Sequence, residues 1–131
     1  MTKRILVIED TEDNRQIVGD LLASAGYELI EAVDGLEGVA TAEREQPDLI
    51  LMDIQLPGID GYEATRRIRA IPALAKVPII AVTSYALGGD EAKARQAGCN
   101  DYVTKPYSPR HLLAKIREHL RQADQVAVSE R

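Results

Sequence analysis

Apolar and polar residues follow one another in blocks along the chain, and the apolar blocks are short. Five runs rich in Ile, Val, Leu and Ala predict strands, at residues 4–9, 27–32, 48–53, 77–83 and 100–104. The run at 77–83 is almost continuously apolar, which is typical of a strand buried on both faces. The pattern therefore predicts a sheet that is covered by helices on both sides.

Amphipathic stretches follow the strands and predict five helices. In the first, Ile17, Val18, Leu21 and Leu22 recur at helical spacing, and Gly26 can end the helix. Later helices are preceded by residues that favour the N-cap position, namely Asp34, Asp60 and Ser108. Strands and helices therefore alternate, which indicates parallel strands joined by right-handed crossovers. We predict an α/β fold, a (βα)5 flavodoxin-like doubly wound parallel sheet with strand order 2-1-3-4-5.

Length and charge limit the classes of function. The 131 residues suit one domain, which we place at residues 1–121, followed by a short polar tail at 122–131 and no output domain. A net charge of −5 and the absence of Phe and Trp argue against direct nucleic-acid binding. Because no apolar run is long enough for a membrane span or a signal segment, we expect a cytoplasmic protein that does not bind membranes.

Carboxylates stand where two of the predicted strands end. The first run ends in Glu9-Asp10 and the third ends in Asp53. In the predicted strand order these two strands are neighbours, and ligands bind at the carboxyl ends of such strands. Three carboxylates at one edge would repel each other unless a cation lay between them, and oxygen ligands of this kind suit Mg²⁺. Thr83 and Lys105 follow the fourth and fifth strands and should face the same edge.

Four motifs carry a resemblance to a known family. They are Ile-Glu-Asp at 8–10, Met-Asp-Ile-Gln-Leu-Pro-Gly at 52–58, Val-Thr-Ser at 82–84 and Tyr-Val-Thr-Lys-Pro at 102–106. Together, and in this order, they resemble the receiver domains of two-component response regulators, over residues 3–121. The pattern is most similar to single-domain members such as the cell-division and chemotaxis regulators.

The resemblance implies a role for each site residue. Asp53 would accept a phosphoryl group from a sensor histidine kinase or a histidine phosphotransfer protein. Asp10 and Asp53, the backbone carbonyl of Gln55, and Glu9 directly or through water, would hold Mg²⁺. Lys105 would pair with the phosphoryl group, and the family favours a cis peptide between it and Pro106. The protein would thus act in phosphorelay signal transduction, with only self-catalysed phosphorylation and dephosphorylation as chemistry.

The resemblance also implies a conformational switch. Thr83 would move towards the phosphoryl oxygens, and Tyr102 would then turn inward, with the surface of helix 4, strand 5 and helix 5 changing for a downstream protein. Residues 87–90, with two glycines, and the body of that fourth helix at 91–97, with few large apolar residues, favour shallow packing. A phosphorylation-dependent homodimer through this surface is a further expectation.

Other readings of the same residues were weighed. A phosphatase of the haloacid-dehalogenase type needs a second aspartate two residues after the nucleophile, where this chain has Gln55. A flavin-binding electron carrier needs a phosphate loop after strand 1, which here is acidic. An interaction module independent of phosphorylation would not need the complete acidic, Thr and Lys set.

Five single residues outside the site carry expectations of their own. Cys99 is expected to be buried, and His111 and His119 are expected to lie on the surface. Tyr85 and Tyr107 could instead be exposed contacts for a partner protein.

Overall fold

Strands and helices alternate from the first strand to the last helix, as the sequence predicts. The computed structural model describes residues 2–84 and 90–129. Within them lie β1 (Arg4–Ile8), α1 (Glu12–Ser24), β2 (Glu28–Ala32), α2 (Gly35–Glu45), β3 (Leu49–Asp53), α3 (Gly61–Arg69), a 3₁₀ turn (Pro72–Leu74), β4 (Ile79–Thr83), α4 (Asp90–Ala97), β5 (Asp101–Thr104) and α5 (Pro109–Ser129). Residues 85–89, which include Tyr85 and the predicted glycine-rich start of the fourth helix, lie outside the described residues.

The five strands form one parallel sheet in the order β2-β1-β3-β4-β5, which confirms the predicted fold class and topology. In this order β1 and β3 are neighbours, with Ile8 opposite Met52. β4 is two residues shorter than predicted, because Pro78 has no N–H for the ladder and only its carbonyl takes part, accepting from Ile50 N at 2.9 Å.

Each strand sends alternate side chains to the two faces of the sheet, so two apolar layers form. One layer packs against α2, α3 and α4 and contains Leu6, Ile8, Ile50, Met52, Ile79 and Ala81. The other packs against α1 and α5 and contains Ile5, Val7, Leu49, Leu51, Ile80 and Val103. The central strands are therefore buried on both sides, as their continuous apolar sequence predicts.

The predicted helix ends are also observed. Asp34 and Asp60 each accept a hydrogen bond from the backbone N–H three residues later, at 2.8 and 2.9 Å. Ser108 Oγ does the same for His111 N at 3.0 Å, with Pro109 as the first residue of α5. Gly26, with a φ of 89°, follows the end of α1 in the left-handed region that favours glycine.

The last helix is longer than predicted. α5 continues to Ser129, so residues 122–129, predicted as a polar tail, are helical. No Gly or Pro interrupts the helix after Pro109. Gln122 Nε2 donates to Glu118 Oε1 at 2.9 Å, and Asp124 pairs with Lys3 at 2.7 Å, so polar contacts continue the helix where apolar ones become sparse. No helix in the described ranges is long and apolar enough to cross a membrane.

His119 differs from its predicted place on the surface. Its side chain is only 15% exposed, and Nε2 lies 2.8 Å from Asp101 Oδ2. Lys115 Nζ lies 3.0 Å from both oxygens of the same carboxylate. Positions 115 and 119 are one helical turn apart on α5, so both face the start of β5, a contact that the sequence pattern does not reveal. His111 is exposed and Cys99 is buried, as predicted.

One half-buried arginine, Arg69, ties α3 to the loop between α4 and β5. Arg69 donates to Gly98 O at 2.9 Å, to Leu74 O at 3.0 Å and to Asn100 Oδ1 at 2.7 Å. Asn100 Oδ1 also accepts from Ile79 N at 2.8 Å. Arg95 of α4 donates to the Asn100 carbonyl at 3.1 Å. The carboxyl end of α4 is thus fixed to the sheet and to α3.

The Asp101 cluster gives a prediction for stability. Burial opposes ionisation of Asp101, but hydrogen bonds from His119 and Lys115 outweigh it and lower the pKa of the carboxyl in the folded protein. The contribution to folding should therefore be present above about pH 4 and be lost as the pH falls through the lowered pKa. We expect Asp101→Asn to reduce the free energy of unfolding by about 1 kcal/mol at neutral pH, a value that allows for solvent screening, and by less at about pH 3.

Urea unfolding followed by circular dichroism at both pH values measures this difference. The control is Asp124→Asn, which removes the more exposed pair with Lys3 and should cost less than about 0.5 kcal/mol. An equal loss for the two variants at neutral pH would contradict the prediction.

Candidate functional site

The predicted acidic site lies at the carboxyl edge of the two central strands. Glu9 follows the last residue of β1, and Asp53 is the last residue of β3. Carboxylate oxygens of Glu9, Asp10 and Asp53 all lie within 4.8 Å of one another. The strand order therefore brings together the three acids that the sequence places at separate strand ends.

Glu9 is held in place by the first turn of α1. Its side chain is buried, and Oε1 accepts a hydrogen bond from Asn14 Nδ2 at 2.7 Å. The guanidinium of Arg15 donates to the Glu9 backbone carbonyl at 2.8 Å. The other carboxylate oxygen, Oε2, is buried and has no hydrogen-bond partner within the described ranges. A buried carboxylate oxygen without a donor is the kind of group that a cation satisfies.

Asp53 is also buried, with 6% of its surface exposed. Gln55 N donates to Oδ1 at 3.0 Å, which fixes one oxygen. Burial, and then the neighbouring Glu9 carboxylate, raises the pKa of Asp53 to about 7 in the protein without a metal. Burial would raise the pKa of Glu9, but hydrogen bonds from Asp53, Asn14 and Lys105 outweigh the burial and lower this pKa. Burial and the mutual repulsion of the two carboxylates thus favour a proton shared within the Glu9 and Asp53 pair, unless a cation offsets their charge.

The start of α3 packs directly beneath the Asp53 backbone. A Cβ on Gly61 would lie 2.4 Å from the Asp53 carbonyl oxygen and 2.7 Å from Ile54 Cα. These are backbone atoms that cannot move aside, so only glycine fits at this position. The N-cap Asp60 and the small Gly61 together bring α3 close enough to support the loop after β3.

Lys105 reaches into the acidic group from β5. Its Nζ lies 3.4 Å from Glu9 Oε1 and 3.7 Å from Asp53 Oδ2. The peptide between Lys105 and Pro106 is cis, as the family resemblance led us to expect. The Lys105 backbone N–H donates to Thr83 O at 2.7 Å, which aligns the ends of β4 and β5. One ammonium group thus faces two carboxylates that are mostly hidden from water.

The other predicted residues lie beside this group. Thr83 is buried at the end of β4, one strand away from Asp53. Tyr102 is half-buried on β5 and lies on the face of the sheet opposite Val103, the face that α4 covers. Gln55 contributes its N–H to Asp53, while a metal-binding role for its carbonyl stays a prediction.

Chemically, the donor set fits a divalent cation. Two buried carboxylates and the exposed Asp10 together offer hard oxygen ligands. A cation here would offset the repulsion that contributes to the raised pKa of Asp53. Lys105 completes a pocket in which a group with several negative oxygens would be neutralised.

A cavity of about 440 Å³ continues from the acidic group into the groove between α1 and α5. Apolar side chains line most of it, including Ile17, Val18, Leu21, Tyr107 and Pro109. Ile17, at the rim, is 65% exposed. Tyr107 is half-buried against the layer under α1 and α5, so it is not the fully exposed contact that the sequence left open.

Two residues of the site escape sequence reasoning. Asn14 reads as one more polar residue in the first turn of a helix, yet it holds the Glu9 carboxylate. Thr104 reads as an ordinary β-branched strand residue, yet its hydroxyl donates to Tyr102 Oη at 3.1 Å. The only available signal is position, since Asn14 is five residues after Glu9 and Thr104 lies between Tyr102 and Lys105.

Comparisons with known proteins agree with this geometry. Residues 5–117 match the family model of the response regulator receiver domain. The polar-differentiation response regulator DivK of Brucella ovis is 42% identical over 123 residues, which are 94% of this chain and 100% of that protein.

Solved structures give the same result. The receiver domain of the sensor histidine kinase PA1611 from Pseudomonas aeruginosa PAO1, solved with a magnesium ion in its active site cleft, is 42% identical, with a TM-score of 0.86 over 92% of this chain and 98% of that one. The chemotaxis protein CheY4 of Vibrio cholerae is 27% identical, with a TM-score of 0.86 over 90% and 98% of the two chains.

Proteins of this kind are signalling proteins that histidine kinases phosphorylate and that relay the signal to further proteins. The family match over residues 5–117, the DivK identity and the shared sheet topology agree on one assignment. The chain belongs to the response regulator receiver domain family.

Proposed function

We propose that this receiver domain accepts a phosphoryl group on Asp53 from a sensor histidine kinase or a histidine phosphotransfer protein. The observation that carries the proposal is the grouping of Asp53 with the two other carboxylates and with the Lys105 ammonium, whose Nζ lies 3.7 Å from Asp53 Oδ2. A carboxylate is a suitable acceptor because its acyl phosphate can be hydrolysed again. Signalling would then proceed as phosphorelay, in the cytoplasm, where the family is typically found.

In the transfer step, an Asp53 carboxylate oxygen forms a bond to phosphorus while the phosphorus–nitrogen bond of the phosphohistidine breaks. The electron pair of that bond goes to the imidazole nitrogen. The Lys105 ammonium leaves the carboxylates and binds the phosphoryl oxygens, and its positive charge offsets their negative charge. The Gln55 N–H, 3.0 Å from Oδ1, fixes the orientation of the carboxyl plane so that Oδ2 is the attacking oxygen.

Mg²⁺ is the cofactor that we assign to this site. Asp10, Asp53 and the Gln55 backbone carbonyl would hold it, with Glu9 bound directly or through water. When bound, Mg²⁺ keeps Asp53 ionised and neutralises charge on the phosphoryl oxygens. The unpartnered oxygen of Glu9 and the raised pKa of Asp53 both support a cation at this position.

The output of the domain is a change of conformation and not a turnover reaction. Gln55 stands where a phosphatase of similar chemistry has a second acid, so no general acid is placed there for turnover, and the acyl phosphate would be lost by self-catalysed hydrolysis. Thr83 would donate to a phosphoryl oxygen, and Tyr102 would follow it inward. The phosphate thereby favours one of two packings of α4, β5 and α5, and a downstream protein reads that packing. A homodimer through this surface remains a prediction.

The groove between α1 and α5 is the surface that we assign to the phosphohistidine donor. It is apolar, it opens directly onto Asp53, and Ile17 at its rim is mostly exposed. An exposed apolar residue beside a charged site is typical of a contact surface for a partner protein. Donor and acceptor would thus be aligned by apolar contacts while the charged groups carry out the transfer.

The acceptor assignment predicts covalent modification at one position. Incubation with acetyl phosphate and Mg²⁺ should add the mass of one phosphoryl group to the wild-type protein, measured by intact mass spectrometry. Asp53→Asn should add none, because an amide oxygen is a poor nucleophile. The control Asp20→Asn, an exposed residue of α1, should behave as wild type. Equal mass gain by wild type and Asp53→Asn would refute the assignment.

The metal assignment predicts a loss of affinity when one ligand is removed. We expect Asp10→Asn to weaken Mg²⁺ binding by about tenfold or more, because a charged oxygen ligand is replaced by a neutral amide. Isothermal titration calorimetry with MgCl₂ measures the change, with Asp20→Asn again as the control. Unchanged Mg²⁺ affinity in Asp10→Asn would place the ion elsewhere.

If the groove between α1 and α5 binds the phosphohistidine donor, a substitution there should slow phosphorylation by a protein donor but not by a small molecule. Ile17→Ser should slow phosphotransfer from any histidine kinase that phosphorylates the wild type, by about tenfold, because an apolar anchor is lost. Phosphorylation by acetyl phosphate should stay within about twofold, since a small donor needs no docking surface. The control is Val126→Ser, an exposed apolar residue at the far end of α5. A similar slowing with both donors would mean that Ile17 supports the site and not the partner.

A further inference from the structure

A hydroxyl on β5 holds the ring of Tyr102. Thr104 Oγ1 donates to Tyr102 Oη at 3.1 Å, and both side chains are half-buried. They are two residues apart on a strand, so they lie on the same face. Val103 between them is buried under α1 and α5, which places Tyr102 and Thr104 on the face that α4 covers. β5 is an edge strand, so this pair lies at the border of the sheet.

The same threonine is the cross-strand neighbour of Thr83. In the parallel pairing of β4 and β5, Thr83 is opposite Thr104 and Ala81 is opposite Tyr102. Residues in register on neighbouring strands point to the same face, with the strands about 4.8 Å apart. Thr104 therefore lies between the two residues to which we assign the switch: it is in register with Thr83 and hydrogen-bonded to Tyr102.

We propose that Thr104 is a positioning residue that holds Tyr102 in the place seen here and so opposes any turn of the ring that accompanies phosphorylation. This inference rests on the proposed function, in which Thr83 and Tyr102 move together. A valine would suit an edge strand as well as threonine does, so strand formation does not need the hydroxyl. The hydroxyl has the Tyr102 phenol as its acceptor, two residues away, and that bond exists only while the ring stays in this place.

The size of the effect follows from the strength of one hydrogen bond. The bond breaks when the ring leaves this place, so it raises the free energy of every other ring position relative to the present one. One net hydrogen bond changes the ratio of two conformations by about two- to tenfold. Because a protein already shifted towards the conformation that the phosphate favours has less conformational free energy to supply, the rate of phosphorylation should rise by up to the same factor.

Fluorine NMR tests the positioning directly, without any phosphorylation. The protein is labelled with 3-fluorotyrosine, and Tyr102→Phe identifies the Tyr102 signal by its disappearance. Thr104→Val removes the hydroxyl but keeps the shape, and Thr104→Ser keeps the hydroxyl. We expect the Tyr102 signal to move in Thr104→Val and to stay at the wild-type position in Thr104→Ser.

Kinetics with acetyl phosphate and Mg²⁺ test the coupling to Asp53. Thr104→Val should be phosphorylated about two- to tenfold faster than wild type, and Thr104→Ser should restore the wild-type rate. Tyr102→Phe removes the same bond from the other partner and should also be faster. The double variant Tyr102→Phe/Thr104→Val should be no faster than Tyr102→Phe alone, because both changes break one interaction.

Three results would overturn the proposal: an unmoved Tyr102 signal in Thr104→Val, a wild-type rate in Thr104→Val, or an equal gain from Thr104→Val with and without the Tyr102 hydroxyl. Failure of the wild type to gain a phosphoryl group would refute the proposed function instead. In that event the fluorine spectra still decide whether Thr104 holds the ring.

Discussion

The concentration of negative charge at the carboxyl edge of β1 and β3 is the constraint on which the rest of this structure depends. Three carboxylates have oxygens within 4.8 Å of one another, and two of them are nearly buried. Such a group is stable only if opposite charge or a shared proton offsets the repulsion. Lys105 and the polar contacts of Glu9 supply part of this compensation. Under the proposed function a bound cation would supply the rest, so the electrostatic problem and the chemical function would have one solution.

The fold supplies rigid supports for this group and leaves other parts less constrained. The central strands are buried on both faces, and Gly61 lets α3 pack against the Asp53 backbone itself. The edge strand β5 is held partly by polar side-chain contacts, such as that of Thr104 with Tyr102 and that of Asp101 with Lys115. Sites of chemistry need fixed geometry, whereas signalling surfaces need two packings of similar free energy. This domain has the fixed geometry at β1 and β3, and we propose the second property for α4, β5 and α5.

The sheet topology and the acidic site could be predicted from the sequence because both follow from strand ends. The apolar runs identify the strands, alternation with helices fixes their direction, and the residue after each run then falls at a common edge. The contacts of Asn14, Thr104 and His119 could not be predicted in this way. They depend on which face a short polar side chain takes and on the distance between elements remote in sequence. The extension of α5 was missed for a related reason, because residues 122–129 have no strong apolar face and are held by ion pairs and helical hydrogen bonds.

The Arg69 and Asn100 network has a mechanical consequence. It fixes the carboxyl end of α4 to α3 and β4. A rod fixed at one end behaves as a lever. With eight residues α4 is about 12 Å long, so a rotation of about 10° around the anchored end moves its first turn by about 2 Å. A rotation of α4 about this anchor would thus be felt most at the carboxyl edge of the sheet, where the proposed phosphorylation site lies, and least at the Arg69 and Asn100 contacts.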